Sequence, residues 1–213
     1  MVHYFFLYPL ILRAMPVKEN QKSLLIFAHP GEAQAFLAGI NFQPIVFSVK
    51  GLYEAEREFL LLTGGGLRST GKKLAAVCDA FRKNISQVIN LGIAGSLDER
   101  CAEGEIYPIR NVFRESRSGE VFEIYRSAGS QAVIDCISAE KAVLNPSHAA
   151  RLSPLASMVD MELWAIAAVC SQFNLPFRAY KLISDIAGHN TDFRKIKARA
   201  GEYSERLYRF YNF

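Results

Sequence analysis

The sequence predicts a single α/β domain, built on a central mixed, largely parallel twisted sheet with helices on both faces. Three observations carry this expectation. Short, wholly apolar runs such as 23–28 (SLLIFA) and 87–91 (QVINL) have the length and continuity of strands buried on both faces. Glycine-bearing turns follow them, after which apolar residues recur at the three- and four-residue spacing of amphipathic helices. A chain of 213 residues, 50% of them apolar, suffices for one domain and is too apolar to be mainly disordered.

The amino terminus stands apart from this pattern. Residues 2–12 are almost wholly apolar, yet the stretch is too short to span a bilayer, lacks the basic residues that open a secretory signal, and contains Pro9. Residues 1–14 are expected to be an over-extended start or a loosely attached arm, with 1–22 as the whole arm and 23–213 as the domain. The run 23–28 is the first strand, ended by His29-Pro30-Gly31, and 32–37 reads as a short helix. Further strands are expected at 44–49 and 58–62. After Gly64-Gly65-Gly66, the spacing of Leu74, Val77, Cys78 and Phe81 marks a helix. The strand at 87–91 is stopped by Gly92 and Gly95. Between 104 and 144, apolar runs at Ile106, 112–113, 121–125 and 132–137 suit antiparallel or mixed strands. Residues 162–173 read as a helix and 177–183 as a strand. Phe193, Ile196, Ala200, Tyr203, Leu207 and Phe210 mark one closing amphipathic helix.

Composition narrows the function classes. Lys and Arg number 25 against 21 Asp and Glu, and residues 186–213 hold six of the basic and three of the acidic groups. That is not the dense basic face of a duplex-binding protein, so neither a nucleic-acid nor a membrane partner is expected. Cys78, Cys101, Cys136 and Cys170 lack CxxC or metal-ligand spacing, and the four histidines are scattered. Buried reduced thiols in a cytoplasmic protein fit best, with no zinc site.

Four stretches can carry chemistry. From Gly66, the sequence GLRSTGK matches the GxxxxGK of a phosphate-cradling loop, but Lys73 stands where Ser or Thr would bind magnesium. The remaining readings are a turn into a helix capped by Ser69 or Thr70, or a loop whose Gly64 and Gly66 let backbone N–H groups approach a substrate oxygen or water. Residues 88–97 (VINLGIAGSL) open a buried strand into a Gly-x-Ala-Gly turn at the carboxyl end of the sheet, where open α/β folds bind ligands. In 159–167 (VDMELWAIA) Asp160 and Glu162 flank Met161 at a helix start, as caps or as functional carboxylates. In 182–187 (LISDIA) Asp185 ends an apolar strand, either capping the last helix or serving as a general acid.

In this order and spacing, the four stretches resemble the nucleoside phosphorylase and nucleosidase superfamily, most closely the methylthioadenosine/S-adenosylhomocysteine nucleosidases and futalosine hydrolases. The resemblance runs through 24–37, 63–77, 88–106 and 159–188, and Met-Glu, Asn-x-Pro-Phe and Ser-Asp-x-Ala in the last block are its most specific part. It implies a nucleoside phosphorylase-like fold and cleavage of the N-glycosidic bond of a purine-type nucleoside. Glu32 matches the acid that orients the attacking water, and Asp185 the acid that protonates or hydrogen-bonds N7 of the departing base. Glu162 matches the carboxylate that holds the ribose hydroxyls, Met161 the residue on the ribose face, and Ser184 the serine that fixes the aspartate. Val143 falls in the segment that lines the base, and Gly92, with Gly64 and Gly66, is an expected substrate-binding position.

Bond cleavage of this kind builds positive charge on the sugar and negative charge on the base, which an acid at the base and a carboxylate near the anomeric carbon relieve. No cofactor is required. Where related phosphorylases grip phosphate with an arginine and a hydroxyl, this chain has Asn90 and Ile93, so water is the expected nucleophile, with Arg68 as the one candidate substitute charge. Ala142 stands where an aromatic residue stacks on the base, and the middle region is shorter than in the family. The alternatives are a phosphorylase of the same fold and a non-catalytic relative that binds a nucleoside or serves in assembly. A homodimer is the family's habit.

Overall fold

The apolar runs become strands whose alternate side chains enter two separate cores. The structure, a computed structural model, describes residues 21–115, 121–128 and 132–212. In chain order the elements are β1 (Lys22–Phe27), α1 (Pro30–Gly39), β2 (Gln43–Pro44), β3 (Leu52–Glu54), β4 (Glu58–Leu62), α2 (Leu67–Phe81), β5 (Ile85–Ser96), β6 (Ile106–Glu115), β7 (Val121–Arg126), β8 (Ile134–Ser138), α3 (Pro146–Leu152), β9 (Met158–Asp160), α4 (Leu163–Gln172), β10 (Phe177–Ile186), α5 (Phe193–Ala198) and α6 (Ala200–Asn212). The arm expected over 1–22 lies outside the described residues except for Gln21 and Lys22, and Lys22 already belongs to β1.

The centre of the sheet is the parallel set β4–β1–β5–β10. β10 follows β5 from Val88 to Ser96 along one edge. The opposite edge of β5 is therefore shared in sequence, by β1 as far as Asn90 and by β9 at Gly95 and Ser96. Between those two partners the sheet splits. One branch closes on itself as a five-stranded barrel, in the order β5–β9–β8–β6–β10 and back to β5. The other branch runs out through β1, β4, β3 and β2 as an open wing, while β7 adds to the barrel strand β6. The sheet is thus mixed, parallel at its centre and antiparallel at β2–β3–β4 and at the pairings of β9 with β5 and of β6 with β7 and β10.

Strand alternation divides the core. Leu24 and Ile26 of β1 face Leu74, Val77 and Cys78 of α2 and Leu163, Ile166 and Cys170 of α4. Leu25 and Phe27 face Ala33 and Phe36 of α1 and Tyr203, Leu207 and Tyr211 of α6. Helices therefore cover both faces, as expected. The α1–α6 pair is tied further by Ser204, whose hydroxyl donates to the Glu32 carbonyl at 2.8 Å and accepts the Ala35 N–H at 2.9 Å. All four cysteines are buried and unpaired, and no helix among the described residues is long and apolar enough to cross a membrane.

Four local expectations change, the first being that β5 does not stop at Gly92 and Gly95 but runs through both to Ser96. The strand expected at 44–49 is a two-residue edge strand, β2, whose partner β3 the sequence reading left out. Pro44 brings no N–H to a ladder and Val46 is fully exposed, so the chain turns through 45–51 and returns with Gly51 at φ 85°. The single closing helix is two helices interrupted at Arg199: Phe193 and Ile196 of α5 and Tyr203 of α6 line a cavity, while Leu207 and Tyr211 pack on the sheet. Finally α3, capped by Asn145 with Pro146 in its first turn, and the short strand β9 fill a stretch the sequence reading left blank.

Phe36 is fully buried, with its ring 4.7 Å from Phe27 and 5.2 Å from Tyr208. Phe36→Ala is expected to lower unfolding free energy by about 3–5 kcal/mol, read as a shift in the urea midpoint without change in the m-value.

Candidate active site

A cavity of about 880 Å³ opens where the sheet splits, over the carboxyl-terminal ends of the parallel strands. Of the residues singled out from sequence, Glu32, Gly92, Val143, Met161, Glu162, Ser184 and Asp185 line it. Gly64 and Gly66 do not.

Glu32 reaches the cavity from the first turn of α1, where it is only 5% exposed. The Ala28 N–H donates to its Oε2 at 3.1 Å. Burial pushes its carboxyl above the ordinary range, against the opposing pull of the Lys181 ammonium and the backbone N–H groups of Ala28 and His29. Gly92 lies against both groups: a Cβ there would stand in ordinary contact, 3.7 Å from Glu32 Oε2 and 3.5 Å from Lys181 Nζ.

Glu162 stands at the N-cap position of α4 but makes no cap bond. Its Oε1 instead accepts the Gly66 N–H at 2.7 Å, and Gly66, at φ 89°, is the residue that turns β4's following loop into α2. The glycine loop thus presents its amide to a side chain. The Gly64 N–H is taken by the Ala28 carbonyl, and Ser69 and Thr70 bond back into the loop rather than capping α2. Burial pushes the Glu162 carboxyl up to about 7, helped by the neighbouring charge of Asp160 and resisted by Lys181.

Asp160 is the cap that Glu162 is not. Its Oδ2 accepts the Leu163 N–H at 2.9 Å and Lys181 Nζ at 2.7 Å, and its Oδ1 accepts the Ser138 hydroxyl at 2.5 Å. Burial pulls the Lys181 ammonium down, but Asp160 and the other acidic neighbours outweigh it and hold the group above its ordinary value. Lys181 was missed from sequence, although a lysine inside the apolar stretch FRAYKLISD is a visible signal. Asn90 completes this floor. Its Nδ2 donates to the Ile26 carbonyl at 3.1 Å while its buried Oδ1 has no hydrogen-bond partner among the described residues.

Asp185 and Ser184 both line the cavity, which strict strand alternation forbids. The register of β10 on β5 shifts between Ile183 and Asp185, and that bulge turns the pair to one side. Ser184 Oγ donates to Asp185 Oδ1 at 2.5 Å, and the Thr191 hydroxyl donates to Oδ2. The cap of the last helices is Asp192, not Asp185. Val143 is buried and its carbonyl accepts the Gly188 N–H at 2.9 Å. Arg68 is exposed and lies away from the cavity.

Comparison with known proteins bears on this arrangement. The sequence model described as Phosphorylase superfamily matches residues 125–211, the part of the chain holding Met161, Glu162 and Asp185. Methylthioadenosine/S-adenosylhomocysteine nucleosidase from Neisseria meningitidis, solved with methylthio-immucillin-A, superposes with a TM-score of 0.77 over 90% of this chain and 98% of that one, at 21% identity. Futalosine hydrolase of Helicobacter pylori superposes with a TM-score of 0.77 over 90% and 96%, at 19% identity. The chain carries the phosphorylase-superfamily fold. The Colwellia psychrerythraea nucleosidase, solved with adenine, agrees at a TM-score of 0.78 over 92% and 96%, with 18% identity. A nucleosidase of Anoxybacillus flavithermus is 45% identical over 51 residues, a match spanning 23% of this chain and 22% of that relative's length.

The phosphorylase-superfamily fold therefore presents here a cavity with Glu32, Glu162 and Asp185 on its walls and a Lys181–Asp160 pair buried beside them. Among the described residues no cluster of three or more His, Cys, Asp or Glu is arranged to hold a metal ion.

Glu162 links the site to stability. Its carboxyl titrates near 4.5 when exposed and near 7 in the fold, so between those values the folded protein holds a proton that the unfolded chain has lost. Stability present below about pH 4.5 is therefore lost as pH rises through about 7. Glu162→Gln keeps an acceptor for Gly66, and it is expected to flatten the decline measured by chemical denaturation between pH 5 and 8. The difference is at most on the order of 3 kcal/mol. An unchanged slope would refute the burial of that charge.

Proposed function

We propose that the protein hydrolyses the N-glycosidic bond of a purine-type nucleoside, of the methylthioadenosine or adenosylhomocysteine kind. The observation that carries this reading is that three carboxylates from distant stretches, Glu32, Glu162 and Asp185, line one cavity. Asp185 protonates N7 of the departing base. Glu32, whose carboxyl burial makes more basic, orients the attacking water and takes its proton as the sugar cation is captured. Glu162 accepts hydrogen bonds from the ribose hydroxyls with the oxygen that Gly66 leaves free. Met161 packs on the sugar face, and Val143 and Ala142 border the base.

Electrostatics support water over phosphate as the nucleophile. Asn90 and Ile93 offer no cation, Arg68 lies outside, and the buried Lys181 is already paired with Asp160. A phosphate dianion would have to settle among three carboxylates. The Lys141 and Lys197 side chains stand only on the exposed rim.

The test is base release from methylthioadenosine, adenosylhomocysteine, inosine, adenosine and futalosine, with and without phosphate. Free ribose product independent of phosphate is expected, with Asp185→Asn and Glu32→Gln each slowing release by roughly 10²–10⁴-fold in folded protein. Ribose-1-phosphate would replace the hydrolase by a phosphorylase.

The reading extends to a homodimer in the cytoplasm. Leu144, Ile186 and Phe193 are 58%, 48% and 55% exposed beside cavity-lining positions, which supports an apolar surface covered by a second copy, and four unpaired cysteines suit a reducing compartment. Sedimentation is expected to give twice the mass of the 23.8 kDa chain. A monomer at micromolar concentration would remove the dimer from the proposal.

A further inference from the structure

Asp185 is gripped through both oxygens, and the two donors are not equivalent. Ser184 Oγ, bonded to Oδ1, also lies 3.3 Å from the Ala94 carbonyl, a second acceptor to which its proton can turn. The Thr191 hydroxyl, bonded to Oδ2, has no other acceptor among the described residues.

Thr191 is also carried on a tightly bonded turn. Asn190 Oδ1 accepts the Ile186 N–H at 2.7 Å, and the N–H groups of His189 and Asn190 both return to the Ile186 carbonyl at 3.2 Å. Gly188, at φ 79°, donates to the Val143 carbonyl, and a Cβ there would meet the Asn145 carbonyl oxygen at 2.6 Å. On the far side of Thr191, Asp192 accepts the Arg194 and Lys195 N–H groups and so starts α5, which brings Phe193 and Ile196 to the cavity.

We propose that Thr191 is a positioning residue for base protonation: it holds Asp185 through Oδ2 in both protonation states, leaving Oδ1, which Ser184 can release, to carry the proton. This rests on the role given to Asp185 above. In the step, the Oδ1–H bond breaks as the N–H bond of the base forms, and the electron pair of the C1′–N bond passes to the base. Asp185 becomes a carboxylate that accepts both hydroxyls. Water supplies the oxygen bonded to C1′, and the proton it loses to Glu32 replaces, through solvent, the one Asp185 gave.

Thr191→Val keeps the side chain's shape and removes the donor. A hydrogen bond to a carboxylate is strong enough that kcat for purine release is expected to fall about 10- to 100-fold, with KM changed by less than about threefold. Thr191→Ser is expected to restore kcat to within about threefold, and adding Thr191→Val to Asp185→Asn is expected to cost nothing further. Unchanged kcat in Thr191→Val, or a further loss in the Asp185→Asn background, would overturn the proposal. If Thr191→Val fails to fold, as judged by melting and near-ultraviolet dichroism, Thr191→Ala is held to the same criteria. Full turnover by Asp185→Asn alone would instead reject the role of Asp185, separating that failure from a failure of Thr191.

Discussion

Glu32, Asp160 and Glu162 are drawn out of water around one ammonium, that of Lys181, and the chemistry of the cavity depends on that imbalance. One positive charge cannot neutralise three carboxylates, of which Glu32 and Asp160 are buried and Glu162 is half-buried. Asp160 takes the direct contact at 2.7 Å, and Glu32 and Glu162 feel the same ammonium while desolvation makes both more basic. A group that is to take a proton from water benefits from such a shift, since its basicity then approaches the working pH. The same burial that makes these carboxylates useful costs stability once they are charged.

The sheet split gives the charges a place to meet. β5 keeps β10 along one edge and exchanges β1 for β9 along the other, so one branch closes as a barrel while the other continues as a wing. At the junction, the end of β1 leads into α1 and Glu32, β9 leads into Met161 and Glu162, and β10 ends in Ser184 and Asp185. A continuous sheet would have placed ladder partners where the cavity opens. Gly92 sits at that junction without a side chain, and the bulge at Ser184 rotates Asp185 inward.

Much of this was legible in the residues. Continuous apolar runs give strands because the parallel centre is buried on both sides, and the positions of β1, β4, β5 and β10 follow from that. Val46 and Pro44 misled because an apolar run counts hydrophobicity but not hydrogen-bonding capacity or the exposure of an edge. The closing amphipathic pattern misled in a different way: its period is continuous across Arg199, yet the chain breaks there into α5 and α6. Lys181 escaped notice because the sequence shows a charge in a strand without showing its partner, which lies 21 positions earlier at Asp160.

The α/β class, the run of acids at strand and helix ends, and the resemblance that links them follow from the residues alone, since these depend on local patterns and short motifs. The closing of the chain in space set that the Gly66 amide meets Glu162, that Asp160 rather than Glu162 caps α4, and that Thr191 shares Asp185 with Ser184. Each of those is a contact between a donor and an acceptor set by how the chain closes in space. Local periodicity carries no information about which of several equally polar groups will be brought within three ångströms of one another.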